Sequence, residues 1–445
     1  MASPPRMRPQ DAGPTCHGGC PISSRASDSI SRAAADSHCQ PVAGIVPDIG
    51  IGLYIHVPFC KTKCPYCDFN TYQGIEGQID AYVEAVTTEL RLWGSALGHP
   101  RVRTVFFGGG TPSYLPEGNI EAILQAAYGT FAIDNGAEIT IEANPGDLDD
   151  TACRGLVGQG VNRLSIGVQS LDNGLLQLLG RRHSADGAIS AFRTAREAGF
   201  ENVNLDLMYG LPHQTTAQWK DTISRLAALS PEHISLYALT LEEGTPMRLW
   251  VDQGRIPGPD PDAAADMYDL ARELLAASGY HHYEISNWAK PGLQSQHNTV
   301  YWRNEPYLGV GPGAHSRLGE YRFWTVLAPR EYASRAAEWS DGSVAYSQGW
   351  IALGEGELGR ARTVGGWERI DTDTACAETM FLGLRLLDGL DLGRASESVG
   401  RDLAVRYAAE IEELLSQGLL LRQGDLLRLD PSAYLIANQV FTRFL

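Results

Sequence analysis

The sequence predicts an α/β protein built on repeated βα units, with a smaller α+β module at its C-terminus. Three observations carry this. From residue 51 onward, short β-branched or apolar runs alternate with amphipathic stretches, which is the rhythm of a parallel sheet. Six such runs fall before residue 240. After Pro291 the rhythm changes, and residues 376–421 read as two or three helices leading into a hairpin. Six βα units suit either an open partial barrel or a doubly wound sheet.

Residues 1–48, rich in Ser, Ala, Pro and Asp and without Lys, show neither helical nor strand period and read as a disordered leader. Its four Arg and seven Ser suggest an organelle transit peptide, but its four Asp argue against one. Cys16, Cys20 and Cys39 lie there, and a flexible tail is weak ground for a second metal site. The strands follow as LYIHV (53–57), TVFFG (104–108), EITIEA (138–143), RLSIGV (163–168), NVNLDLMYG (202–210) and HISLYAL (233–239). Between the first two, residues 79–93 place Ile79, Tyr82, Val83, Val86, Leu90 and Trp93 on one helical face. Later helices are expected near 117–129, 149–158, 185–198, 215–229 and 262–278. The stretch 49–290 is thus the βα region and 291–375 a linker carrying site residues. Residues 376–445 form a winged-helix-like module, with GLLLRQGDLLRLD (418–430) turning at Gln423-Gly424-Asp425.

Composition removes several classes of function. Of 445 residues, 43% are hydrophobic and 20% charged, ordinary for a globular chain. No apolar run approaches the roughly 20 residues a membrane span needs, and no signal peptide opens the chain, so a cytoplasmic protein is expected. A net charge of −17 repels phosphate backbones, and no basic patch offsets it. Even the winged-helix-like module has seven Arg and no Lys against ten acidic residues, a net of −3, which suits a structural or lid role rather than nucleic acid.

The chemistry collects after the first strand, in CKTKCPYC (60–67). Clustered cysteines in a reducing compartment point to metal or redox work rather than disulfides. Cys60, Cys64 and Cys67 can ligate three irons of a cubane [4Fe–4S] cluster and leave the fourth open. A structural zinc would want a fourth protein ligand, and no nearby His or Cys supplies one. Loops at the C-terminal ends of parallel strands carry the sites of such folds, which brings further residues to the same end. The triple glycine 108–110 before Thr111 exceeds what a tight turn requires and offers close backbone approach and amide donors to a ligand. Asp206, in an apolar strand, needs a partner, and Arg181 is the expected one.

The Cys-x3-Cys-x2-Cys spacing after a first strand resembles the radical S-adenosylmethionine (SAM) superfamily. Tyr54-Ile-His56-Val-Pro58-Phe59-Cys60, GGGTPS (108–113), IEANPG (141–146), IGVQS (166–170), LGRRH (179–183) and DLMYGLP (206–212) are similar to its coproporphyrinogen oxidase-like, or HemN/HemW, branch. The resemblance covers about residues 50–445 and implies a partial (β/α)6 TIM-like barrel. It further implies a [4Fe–4S] cluster whose open iron is chelated by SAM, with one-electron cleavage to methionine and a 5′-deoxyadenosyl radical. SAM contacts carried over are Gly109, Gly110, Thr111, Glu142, Gln169, Arg181 and Asp206, with Tyr54 and Tyr66 packing beside the cofactor. His56 is placed to bond a cluster sulfide or SAM.

Two features divide the branch. Decarboxylating relatives place another cysteine two residues after the third cluster cysteine; here that residue is Phe69. HNTVYW (297–302), followed by GVGPGAHS (309–316), resembles the HNxxYW element of the HemW-type haem chaperones. His297 would then be an axial haem ligand, with Tyr301 and Trp302 on the macrocycle; the alternative is a helix docked by aromatics around a hydrogen-bonded histidine. His281, His282 and His315 are rival ligands. The resemblance implies haem, haem-receiving apo-proteins and an electron donor such as flavodoxin or ferredoxin, with membrane-associated recipients and a homodimer left open. Oxygen-independent coproporphyrinogen III dehydrogenation is the alternative activity.

Overall fold

The six expected strands lie side by side in chain order at the centre of a twelve-stranded sheet in a computed structural model that describes residues 50–339 and 353–445. They are β1 (Ile51–Val57), β2 (Arg101–Gly109), β3 (Ala132–Ala143), β4 (Arg163–Gln169), β5 (Val203–Tyr209) and β6 (His233–Ala238), all parallel. Strands β4 and β5 are buried along their whole length, as parallel strands covered on both faces must be. The connecting helices fall where the apolar period puts them, Ile79–Ala96 and Asn119–Thr130 among them. Their starts are written locally: Asp149, Ser184 and Asp260 each accept a backbone N–H at an N-cap, and Thr215 with Gln218 forms a capping box. Two short helices, Asn173–Leu178 and Pro246–Asp252, had no periodic signal. The leader and its Cys16, Cys20 and Cys39 lie outside the described residues.

The sheet is extended at both edges, by the end of the expected βα region beside β6 and by the stretch expected as a linker beside β1. Strands β7 (His281–Glu284) and β8 (Asn287–Ala289) add antiparallel beside β6. Strand β9 (Tyr307–Val310) pairs parallel with β1 on its outer side, and β10 (His315–Leu318), β11 (Tyr321–Thr325) and β12 (Val364–Arg369) continue beyond it. These runs are short and mixed in polarity, so no period marked them.

One short helix, Gln296–Trp302, explains why the sheet curls. His297 Nδ1 bonds Thr104 of β2 (2.8 Å), and Glu138 of β3 accepts the amides of Gln296 and His297 (3.0 Å each). The amide of Ser295 donates to the Tyr283 hydroxyl, which is bonded in turn to His233 of β6. Strands four places apart in the sheet thus meet one helix, which closes the N-terminal end of an open barrel. In the C-terminal unit, helix Thr372–Gly383 precedes a small sheet of β13 (Leu390–Asp391), β14 (Leu420–Gln423) and β15 (Leu426–Leu429).

Rather than covering the barrel mouth, this unit packs on the closed end. Arg385 stacks over Trp302 at 4.2 Å, Thr379 accepts from Asn304 at 3.0 Å, and the buried Glu378 carboxylate pairs with Arg322 of β11. Among the described residues, no helix is long and apolar enough to cross a membrane.

Candidate functional site

At the C-terminal ends of β1 to β6 the barrel opens into a cavity of about 270 Å³. Of the residues singled out from the sequence, Cys60, Cys64, Cys67 and Tyr66 line it, as do Gly109, Gly110 and Thr111. Glu142, Gln169, Arg181 and Asp206 complete the group, while Tyr54, His56, His281, His282, His297 and His315 stand outside. The rule that loops after parallel strands carry the site thus gathers residues spread over 147 positions of sequence, from Cys60 to Asp206.

The cysteine loop leaves β1 and returns through a bridge between Phe59 and Tyr72, with Cys60 N–H donating to Tyr72 O at 2.9 Å. The Thr111 hydroxyl donates to Cys60 Sγ (3.6 Å) and Arg181 Nη1 to Cys64 Sγ (3.5 Å). Burial pushes the Cys67 thiol up to about 11 and Cys60 in the same direction. A coordinated thiol is deprotonated outright.

The glycines act differently from the expectation. The amides of Gly110 and Thr111 donate to Val57 O (2.7 Å) and Phe59 O (2.8 Å), and that of Gly109 to Glu142 Oε2 (3.1 Å), so none of the three is free for a ligand. Their role is close approach. A Cβ on Gly110 would lie 2.5 Å from Phe59 O and 2.8 Å from Val57 O, both main-chain atoms that cannot yield.

Among the carboxylate and amide groups that line the cavity are the three expected from the sequence, Glu142, Gln169 and Asp206. Burial, with the charge of Asp206 adding to it, pushes the Glu142 carboxyl up to about 7 against the pull of the Gly109 N–H. Gln169, 4% exposed, ends β4 with φ +65°, a left-handed backbone that a non-glycine residue holds at about 1–3 kcal/mol and that clusters at functional sites. Asp206 does not pair with Arg181. It accepts from Ser165 Oγ and Asn204 Nδ2 at 2.9 Å each, neutral partners that satisfy a buried carboxylate from below. The Arg181 guanidinium instead bonds Asn144 and Gly167 O, while its buried Nε–H finds no partner among the described residues.

Other expectations are corrected. Both ring nitrogens of His56 are engaged, Nδ1 with the Tyr54 hydroxyl (3.1 Å) and Nε2 with Asn70 O (3.0 Å), so it is turned away from any cluster. His297 sits at the closed end of the barrel, fully buried, between Thr104 and the Tyr301 hydroxyl (2.9 Å) and stacked on Phe106 at 5.0 Å. Burial lowers it to about 3, a neutral ring with both nitrogens occupied and no lone pair left for an iron. Tyr54, half-buried, packs against Phe106 and His297 and does not itself line the cavity. His282 is stacked on Trp288 at 4.0 Å and His281 pairs with Asp388 at 3.1 Å.

Sequence reading missed Asn144, which accepts from Arg181 and donates to Thr111 Oγ1 (3.0 Å), joining two strand ends. It lies in the IEANPG motif, two residues past Glu142, where position at a strand end was the available signal. Tyr237, near the end of β6, and Thr240 and Glu242, after it, also line the cavity and had none.

The donor set suits a cluster better than an ion. Among the described residues no three Cys, His, Asp or Glu side chains converge as one metal ion requires. A cubane instead seats each thiolate on a different iron. Beyond the thiols, the unpaired Arg181 Nε–H and the buried Glu142 mark polar capacity that the protein leaves unfilled.

A parallel open barrel with a three-cysteine loop after its first strand defines a radical SAM protein, and residues 54–226 match the Radical SAM superfamily while 370–436 match the HemN C-terminal domain. Coproporphyrinogen III oxidase (HemN) from Escherichia coli shares the fold, with a TM-score of 0.73 at 22% identity over 88% of this chain and 89% of that one. Heme chaperone HemW of Bacillus subtilis is 35% identical over 393 residues, 88% of this chain and 98% of that protein. The Lactococcus lactis protein of the same name is 33% identical, over 88% and 96%. The chain belongs to the HemW family. Membership in the radical SAM superfamily implies a [4Fe–4S] cluster and SAM.

Proposed function

We propose that this chain binds haem and hands it to apo-proteins, on a radical SAM core that retains its cluster loop and cofactor cavity. The observation that carries the reading is full-length likeness: a protein named heme chaperone HemW aligns over 98% of its length at 35% identity. Phe69, which lines the cavity where decarboxylating relatives carry a thiol, supports it.

Cys60, Cys64 and Cys67 would hold the cluster, and Glu142, Gln169, Arg181 and Asp206, with Tyr66 and the turn at Gly109, Gly110 and Thr111, would orient SAM. Together the bound pair supplies one-electron chemistry. The protein's own contribution is electrostatic and steric. Arg181 ties Cys64 to Asn144 and Gly167, so the loop and two strand ends move as one. Glu142, held near 7, releases its proton readily when an ammonium group is brought against it. Thr111 and Arg181 direct hydrogen-bond donors at two sulfurs, which favours the thiolate form. The haem ligand is a residue other than His297. An electron donor of the flavodoxin or ferredoxin type and apo-protein acceptors complete the proposal.

Titration with haem tests it. Anaerobically reconstituted protein should carry about four irons per chain and then bind haem saturably, seen as a Soret band distinct from free haem. Haem that partitions without saturation would remove the chaperone reading.

A further inference from the structure

The GVGPGAHS segment lines no part of the cavity, yet it is held with unusual firmness behind the cysteine loop. Gly311 N–H donates to Glu89 Oε2 (2.9 Å) and Gly313 N–H to Val326 O (2.9 Å). Glu89 is fully buried and also accepts from the Tyr332 and Thr363 hydroxyls, which fixes the turn to the helix Ile79–Ala96.

On the other side of the turn stands Asn70, three residues after Cys67. Its Nδ2 donates to Pro312 O and to Leu327 O, both at 2.9 Å, so both amide hydrogens are spent on main-chain carbonyls more than 240 residues away. Its Oδ1 accepts from the Tyr72 hydroxyl (2.9 Å), and its own carbonyl accepts from His56 Nε2–H (3.0 Å). Since a carbonyl only accepts, His56 must carry its proton on Nε2 and take the Tyr54 hydroxyl on Nδ1. Gly313, at φ +81°, leaves room for this contact, because a Cβ there would lie 2.6 Å from Asn70 Nδ2. Lys63, between Cys60 and Cys64, reaches Phe69 O (3.2 Å) and Thr71 O (3.0 Å), on either side of Asn70. The return limb of the loop is therefore gripped from within by Lys63 and from without by the distant turn.

We propose that Asn70 is a positioning residue that clamps the cysteine loop to the 309–316 turn, and that this clamp sets how firmly the third thiolate is held on a cluster. The inference rests on the reading that Cys60, Cys64 and Cys67 carry that cluster. A cubane needs three sulfurs at fixed separations. With the return limb unclamped, Cys67 swings away more often, and the iron it covers opens to chelator and oxygen. Only an amide suits the position, because a carboxylate of the same shape would put an acceptor oxygen in place of Nδ2, against two carbonyls.

The test compares wild-type, Asn70→Asp, Asn70→Ala and Tyr72→Phe full-length proteins, reconstituted anaerobically, for iron and sulfide content, EPR of the reduced cluster and the rate of bleaching by a ferrous chelator. Thermal unfolding of each apo-protein reports the fold. Thr379→Val, which removes a hydrogen bond to Asn304 in the C-terminal unit, serves as a stability control remote from the loop. Asn70→Asp and Asn70→Ala should bleach at least about tenfold faster than wild type, the factor that ~1.4 kcal/mol of lost hydrogen bonding corresponds to, with a broadened EPR signal. Tyr72→Phe, which loses the hydroxyl shared between Asn70 Oδ1 and Leu327 O and keeps its shape, should move the same way by less, and Thr379→Val should bleach at the wild-type rate. If wild type takes up no cluster, the cluster reading itself fails. If wild type loads but the Asn70 variants bleach at its rate, or Thr379→Val bleaches as fast as they do, the clamp is wrong and Asn70 is ordinary packing.

Discussion

Replacing Glu142 with Gln should stabilise the cofactor-free protein at pH 8 and leave it nearly unchanged at pH 4. The carboxyl is buried, faces Asp206 across the cavity, and is held at about 7 instead of the ordinary 4.5. At 1.36 kcal/mol per pH unit, its charged form is disfavoured in the folded state by about 3 kcal/mol. The sign follows from proton binding. Between pH 4.5 and 7 the folded protein keeps a proton that the unfolded chain has lost, so stability from this group is fully present below 4.5, declines as pH rises, and is gone above 7. Glutamine does not titrate, and its amide oxygen can still accept the Gly109 N–H now bonded to Oε2. Urea unfolding of wild type and Glu142→Gln at pH 4, 6 and 8 measures the difference between the two proteins, in which all other titrations cancel. The gain should rise to about 3 kcal/mol at pH 8. A Gln variant that is equally or less stable than wild type at pH 8, or a difference independent of pH, would refute the argument that burial and Asp206 hold Glu142 protonated.

Further substitutions test other parts of the account. Gly110→Ala should lose at least about 2 kcal/mol, since the new methyl meets two backbone carbonyls, and thermal unfolding of the apo-protein reads it. His297→Ala should cost about 3 kcal/mol, from the cavity and from orphaned partners at Thr104 and Tyr301, while the haem-bound spectrum stays that of wild type. A changed Soret band there would restore His297 as a ligand. Glu378→Ala should leave Arg322 facing a buried gap and loosen the C-terminal unit by about 3 kcal/mol, seen as faster limited proteolysis between the barrel and that unit.

The fold was legible where strands are apolar on both faces. LYIHV and NVNLDLMYG announce buried parallel strands, and the helix faces between them repeat at a clear period, so those elements fall within a few residues of expectation. Strands β9 to β12 were not legible, because each is only four to six residues long and β12 is mostly exposed. Local pattern cannot reveal a strand whose place is decided by pairing with a sheet edge formed 250 residues earlier. The site shows the same division. Cys60, Cys64, Cys67, Glu142 and Arg181 could be gathered by topology, since each lies at the C-terminal end of a strand or in the connection after one. Partnerships inside the site could not: Arg181 turns to Asn144 and Gly167 rather than Asp206 because Ser165 and Asn204 already occupy that carboxylate. The HNTVYW helix misled for a physical reason. A histidine and tyrosine one turn apart suit a haem pocket and a barrel plug equally, and only the burial of both ring nitrogens separates the two.

One sample decides the central reading most directly. Protein carrying its cluster is divided in two, one part given coproporphyrinogen III with SAM and a reductant, the other titrated with haem. Haem should bind saturably, and no vinyl product should form above a cluster-free control. Vinyl product at enzymatic rates, with haem bound no more tightly than by an unrelated protein, would contradict it.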